Sequence, residues 1–289
     1  MVDWLQFSAY LSCVKLRLSL SLLLAAAGAF AQESPYFITY DHHMEEPRRL
    51  EIALTPIAGT PKEGNRFRST TLELEYAPKG WWTSELYLDA QTTQNEGSLY
   101  TGWALENRFR LLMDEHAINP VLYIEYADTN GADKALREVV GFDSWKDFST
   151  PNGEARLERE KELETKLILS GYLRGWNISG NAIAEKNLDG PPWEFGYALG
   201  ASRPLTLAAS PNPCTFCAEN FSAGIEAYGG VGEKGNITLS GTSHYLAPTL
   251  GWTLPNGVSL RASPTFGLTS ESMRFLMRFG ISYEFSVTR

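Results

Sequence analysis

Over most of its length the chain repeats one arrangement, an apolar residue at every second position. Thr71-Leu-Glu-Leu-Glu-Tyr76 puts Leu72, Leu74 and Tyr76 on one face and Thr71, Glu73 and Glu75 on the other. A period of two belongs to a strand, because a helix would mix the two sets. Beyond the turn at Pro78-Lys-Gly80, Trp82, Ser84, Leu86, Leu88 and Ala90 alternate with Thr83, Glu85, Tyr87 and Asp89, which predicts a hairpin. The pattern returns with Trp103, Leu105, Phe109 and Leu111 against Ala104, Glu106, Arg108 and Arg110, and then with Leu122, Ile124 and Tyr126 against Tyr123 and Glu125. Later segments carry Leu163 to Leu169, Ile178 to Ala184, Trp193 to Leu199, Phe221 to Ala227, Leu246 to Leu254 and Leu260 to Leu268 on their apolar faces. The last places Phe275, Met277, Phe279, Ile281, Tyr283 and Phe285 opposite Arg274, Arg278, Ser282 and Glu284.

Counting Arg49 to Thr55 as the first strand predicts about 12 antiparallel strands, an even number, as closed single-chain membrane barrels require. Many reach roughly 10 to 13 residues, longer than the usual strand of a soluble sheet and suited to a tilted bilayer crossing. Connection lengths alternate accordingly. Pro78 to Gly80, Met113 to Asn119, Arg174-Gly175 and Pro255 to Gly257 fall at one end with the cysteine segment, and the longest connection, Gly131 to Glu158, falls at the other. Within it, Ala135 to Val140 is expected to add a short helix. Six tryptophans (Trp81, Trp82, Trp103, Trp176, Trp193 and Trp252) mostly mark strand ends, where amphipathic rings settle at membrane interfaces.

Composition refines this picture without deciding it. Hydrophobic content of 43% and a mean hydropathy of −0.22 read as soluble, yet strands with one lipid-facing and one lumen-facing side give the same averages. Residues 1–31 differ from the rest: Lys15 and Arg17 precede an apolar run from Leu18 to Phe30, and Ala29-Phe30-Ala31 offers small residues for a signal peptidase. A cleavable signal peptide is expected there, since the run is short for a spanning helix. Residues 32–47 then form a periplasmic lead-in or lumen plug, and residues 48–289 the barrel. The net charge of −9, with no cluster of Lys and Arg, argues against nucleic acid as a partner.

The closing stretch Phe279-Gly-Ile-Ser-Tyr-Glu-Phe285 resembles the terminal strand of bacterial outer-membrane β-barrel proteins, a porin-like class made by Gram-negative bacteria. The tail Ser286 to Arg289 beyond the last phenylalanine departs from that pattern. The resemblance implies an all-β transmembrane barrel, outer-membrane lipid around it, the barrel-assembly machinery as a partner during biogenesis, and small solutes or ions as cargo. No cofactor is expected.

On this arrangement Glu73, Glu75, Glu85, Glu106, Glu125, Glu164, Glu194, Glu226 and Glu284 face the lumen with Arg108, Arg110, Lys166, Arg261, Arg274 and Arg278. Such a wall makes a selective aqueous channel, or it cross-links itself through ion pairs into a closed structural or adhesive barrel. A lipid hydrolase on the barrel is the enzymatic alternative, with Ser243, His244 and His116 as its candidates; Ser243 and His244 are adjacent on a strand and so point to opposite faces. His42, His43 and Glu45, in Asp41 to Glu46, are the densest potential metal ligands, though neighbours in sequence seldom share one ion. Cys214 and Cys217 have redox spacing, but no helix pattern follows them and Ala218 stands where haem attachment needs histidine. A local disulfide is expected, stabilising only slightly because its loop is short.

Overall fold

The computed structural model describes residues 34–287 except Pro191, Pro211 and Pro213, so the expected signal peptide lies outside the described residues. Twelve long strands run antiparallel to their chain neighbours: β1 Arg49–Gly59, β2 Phe67–Lys79, β3 Trp82–Thr93, β4 Gly97–Arg110, β5 Asn119–Asn130, β6 Arg159–Leu173, β7 Trp176–Asn187, β8 Glu194–Pro204, β9 Phe221–Glu233, β11 His244–Thr253, β12 Val258–Gly267 and β13 Phe275–Ser286. A two-residue strand, β10 Asn236–Ile237, only extends the end of β9. β1 pairs with β13 from Arg49↔Ser286 to Gly59↔Leu276, and this closes the sheet into a barrel of twelve. Closure leaves no edge with unpaired N–H and C=O groups, the condition a sheet must meet in lipid.

Alternation along the strands becomes an inside and an outside. On β3, Thr83, Glu85, Tyr87 and Asp89 are buried, and the residues between them are more accessible. On β6, Leu167 and Leu169 are exposed while Lys166, Ile168 and Ser170 are buried. Leu54, Leu105, Ile178, Leu199, Phe279 and Ile281 also stand exposed on the outer wall. So large an apolar surface needs an apolar surrounding.

The two ends differ. At one, β6 and β7 meet in a two-residue turn whose Arg174 and Gly175 both have positive φ, 51° and 83°, the geometry that matches the twist of paired strands. Trp81, Trp82, Trp176 and Trp252 gather at this short-turn end, Trp193 lies at the long-loop end, and Trp103 stands within β4 rather than at a terminus. The cysteine segment also belongs to the short-turn end, where Cys214 and Cys217 are joined by a disulfide and Asn220 donates to the Cys214 carbonyl at 2.6 Å. At the other end the connection from Gly131 to Glu158 is not helical where a helix was expected: Leu136 and Gly141 both take φ of 50°, which a helix cannot accommodate. Its one helical turn, α1, is Asn152–Ala155.

Leu54 lies mid-strand on the outer face, flanked by Leu72 and Ile281. Leu54→Arg should destabilise the bilayer-inserted barrel by about 2–4 kcal/mol, as a cation at mid-depth on a lipid face does, read as a lower denaturant midpoint in vesicles. An unchanged midpoint would mean that this face does not meet lipid.

Candidate functional site

The fixed register of the barrel assembles a feature that no single strand displays. Strand pairing sets Glu284 opposite Glu51, then Glu51 opposite Glu75, Glu75 opposite Glu85, and Glu85 opposite Glu106. It continues through Glu106↔Glu125, Glu125↔Glu164, Glu164↔Glu185, Glu185↔Glu194 and Glu194↔Glu233. Ten neighbouring strands thus contribute one glutamate each to an unbroken row along the inner wall. The row also climbs, because adjacent strands are staggered. Glu51 is the third residue of β1, near the short-turn end; Glu125 is midway along β5; Glu194 opens β8 and Glu233 closes β9, both at the long-loop end.

Cations lie beside the row. Arg108 reaches Glu75, Glu106 at 2.7 Å and Glu85 at 3.7 Å. Lys166 meets Glu164 at 2.7 Å, Arg137 meets Glu125 at 3.4 Å, and Arg49 meets Glu284 at 3.0 Å. Carboxylates outnumber the cations paired with them, so the row attracts further positive charge. Glu164 and Glu185 of the row, with Glu138 of the inward loop, form a group whose oxygens lie within 4.8 Å of one another.

Two segments fill the interior. Ser34 to Pro47 enters the barrel and is held along its backbone. Glu226 accepts from the N–H groups of Phe37, Ile38 and Thr39 at 3.0, 2.9 and 2.7 Å. Asn181 accepts from the Tyr40 N–H at 2.7 Å, and Arg261 donates to the Tyr36 carbonyl at 3.0 Å. Glycine at position 200 leaves room for the Tyr36 ring, which a Cβ there would approach to 2.7 Å. The Tyr40 ring lies over both Arg108 and Lys166, 5.4 and 4.8 Å from its centre, and its hydroxyl reaches Glu106 at 3.1 Å. The segment therefore docks directly on the glutamate row.

From the long-loop end, residues 131–141 fold inward. Arg137 pairs with Asp89 as well as Glu125 and covers Tyr87, and Arg278 donates to the Leu136 carbonyl at 2.7 Å. Val139 and Val140 join Ile38, Tyr228, Tyr245 and Leu276 in one buried apolar cluster. Burial and the neighbouring Asp89 push Asp133, in the same loop, up to about 6.

Asp41 and His43 form the segment's charged pair, 3.2 Å apart. Burial pushes Asp41 up, but its bonds with His43 and Ser34 more than offset that and hold it well below the usual carboxylate range. Burial pushes His43 down, and the Asp41 hydrogen bond and charge carry it above its ordinary value. Burial and the adjacent His43 lower His42. A neutral His42 satisfies its site: Nε2–H donates to Glu115 at 3.2 Å and Nδ1 accepts from the Ser170 hydroxyl at 2.9 Å. Both its nitrogens are thus engaged, Glu45 also has a partner, and the ligand-spaced group Glu138, Glu164 and Glu185 does not include any of the three.

The remaining sequence candidates fall as follows. Glu73 accepts from Thr55, and Arg110 reaches Glu115 at 3.4 Å near the short-turn rim. Arg274 does not face the lumen; it precedes β13 and is exposed at the long-loop rim, because the strand begins only at Phe275. Ser243 donates to the Asp143 carbonyl at 2.6 Å, His244 bonds Thr242 and Tyr197, and His116 lies in the β4–β5 turn at the opposite end. These three do not meet as nucleophile and base. Sequence reading missed Arg137, Glu138 and Tyr40, three members of the row (Glu51, Glu185 and Glu233), and the row itself. Seven of the ten glutamates are assigned inward by the alternation, Glu233 lies beyond a register shift between β8 and β9, and the alignment of all ten requires the register.

No known protein family matches the chain by sequence signature, and no curated protein does. Among solved structures it is similar to an outer-membrane channel from Pseudomonas putida F1, at 13% identity and a TM-score of 0.50, covering 85% of this chain and 98% of that one. The KdgM porin, solved with disordered oligogalacturonate, aligns at 6% identity and a TM-score of 0.45 over 82% of this chain and 99% of that one. The translocator domain of the autotransporter NalP from Neisseria meningitidis aligns at 12% identity and 0.44, over 84% and 90%. The likeness to the Pseudomonas channel lies in the fold, and this chain has the closed antiparallel barrel of outer-membrane β-barrel proteins.

Proposed function

We propose that the protein is an outer-membrane channel for small cations, with the short-turn end in the periplasm and residues 34–47 acting as a displaceable plug. The glutamate row carries this reading. A line of carboxylates running from one rim of a barrel to the other lowers the energy of a cation at each step and raises that of an anion. The barrel fold and its apolar outer wall support the membrane placement. A closed structural barrel is the second reading, favoured by the apolar cluster that the plug and the inward loop share with the wall.

Planar-bilayer recording of the refolded chain separates the two. Removing residues 34–47 should raise single-channel conductance several-fold, and the reversal potential in a salt gradient should report cation preference. Changing Glu164 and Glu185 together to Gln should move that potential toward zero. A barrel that inserts but stays silent without the plug would sink the channel reading and leave the closed barrel.

Glu226→Ala should loosen the plug in the intact chain, since the buried N–H groups of Ile38 and Thr39 lose their acceptor at about 1–3 kcal/mol each and the part-buried N–H of Phe37 loses its own. Faster amide exchange at Phe37 to Thr39 checks this, and unchanged exchange would count against Glu226 as the anchor.

Plug docking should also depend on pH. His43 is raised on docking, so its contribution is complete below its ordinary value of 6.5 and is lost as pH rises through the docked value. Asp41 is lowered, so its contribution is present above 3.8 and is lost as pH falls through the depressed value. His42, Glu115, Arg110 and Tyr172 also act on this pair. Open probability should therefore rise from pH 6 to pH 8, and His43→Gln should flatten the change. An equal rise in that variant would assign the dependence to another group.

A further inference from the structure

The long-loop rim carries a second charged site, on the outside of the barrel and opposite in sign to the lumen. Pairing places Met277 of β13, Ala58 of β1, Arg68 of β2 and Thr92 of β3 in one row. Arg68, Thr92 and Met277 each lie between two buried residues and Ala58 follows the buried Ile57, so the row belongs to the outer wall. Just above it, at the ends of the β1–β2 and β12–β13 loops, stand Lys62, Arg66 and Arg274, each exposed. Together these residues border a cleft of about 1180 Å³, which Thr269 and other hydroxyl-bearing side chains also line. No aspartate or glutamate is among its lining residues, in a chain whose net charge is −9. Lys62 is held in place by donating to the Ser270 carbonyl and by lying over the Trp145 ring at 5.6 Å.

Below the cleft β13, β1 and β2 present only uncharged outward positions. Pro56 and Thr70 come first, then Leu54, Leu72 and Ile281. A ligand filling both levels has phosphates and hydroxyls above and hydrocarbon below. We infer that this cleft binds the phosphorylated, sugar-headed lipid of the outer leaflet, with Arg66, Arg68 and Arg274 on its phosphates and its acyl chains along β13, β1 and β2. Guanidinium groups suit the task because their fixed donors match phosphate oxygens in pairs. A free phosphate would use the cations alone and leave the apolar wall below unused. The lipid engages both levels. The inference rests on the outer-membrane placement proposed above and is independent of conduction.

Native mass spectrometry of the detergent-solubilised full chain tests it with three probes: bisphosphorylated lipid A, lipid A stripped of phosphate, and inorganic phosphate. One bound bisphosphorylated lipid is expected, with at least tenfold weaker binding of the stripped lipid and no competition from inorganic phosphate at equal concentration. The triple variant Arg66→Gln, Arg68→Gln, Arg274→Gln should lose the bound lipid about tenfold, whereas Lys234→Gln on another loop of the same rim should keep it. Heat-modifiable migration establishes that each variant is folded. If the triple variant is unfolded, the three single variants take its place, each expected to weaken binding. Equal binding by folded variant and native chain, equal binding of the stripped lipid, or displacement by inorganic phosphate would each overturn the lipid site. Failure of the chain to insert into vesicles at all would instead overturn the membrane placement.

Discussion

Everything in this molecule depends on the closing ladder between β1 and β13. Once those strands pair, each of the twelve long strands has two neighbours, no sheet edge of the ring is left open, and the register cannot slide without breaking the ring. A slip of one residue anywhere would turn that strand's apolar set inward and its charges into lipid. The same restriction that makes the wall stable in a bilayer therefore fixes which side chains are neighbours inside. Ten glutamates scattered from position 51 to position 284 become one continuous row only because the ring is closed and staggered.

Aligning like charges costs energy, and the interior of the barrel is arranged around that cost. Arg108 stands among three members of the row, Lys166 and Arg137 each neutralise another, and the Tyr40 ring covers Arg108 and Lys166 while its hydroxyl bonds Glu106. Two of these groups, Arg137 and Tyr40, come from outside the wall. The inserts thus fill space and also complete an electrostatic arrangement that the strands alone leave in excess of negative charge. Removing one partner from such a network leaves an uncompensated charge, which is dearer than never having built the pair. On the proposed reading, displacing the plug exposes the row to water and to mobile cations, which take over the role of the withdrawn side chains.

The wall was legible in the sequence because membrane strands impose a period of two and short turns punctuate it; Arg174-Gly175 is a turn whose chemistry names its geometry. Seven of the ten glutamates of the row were legible one strand at a time; Glu51, Glu185 and Glu233 were not. Nor was the alignment of the row, since register between strands is set by closure and stagger, which no local pattern encodes. The inserts were harder still. Ser34 to Pro47 has neither helical nor strand periodicity because its backbone bonds go to side chains such as Glu226 and Asn181 instead of to a ladder. Ala135 to Val140 has a helix-like composition, but the pairing of Arg137 with Asp89 and Glu125 holds it in another conformation, with Leu136 in the left-handed region. Arg274 was assigned inward by extending alternation one residue beyond the strand that enforces it.

The interior is also divided. Tyr228, Tyr245, Ala247 and Leu276 make the β9 to β13 side apolar near the long-loop end, where they pack with Ile38, Val139 and Val140. Most of the row's paired carboxylates lie on β2 to β6. The apolar side gives residues 34–47 and the inward loop a surface to pack on, while Tyr40 and Arg137 extend from them to the glutamate row. With acids concentrated within and a basic, acid-free cleft on the outer rim, the fold separates its charges by sign across a single layer of sheet. Phosphate held outside by Arg66, Arg68 and Arg274 would be kept from the carboxylates inside, so the wall can present an anionic lumen and a cationic lipid contact without either neutralising the other.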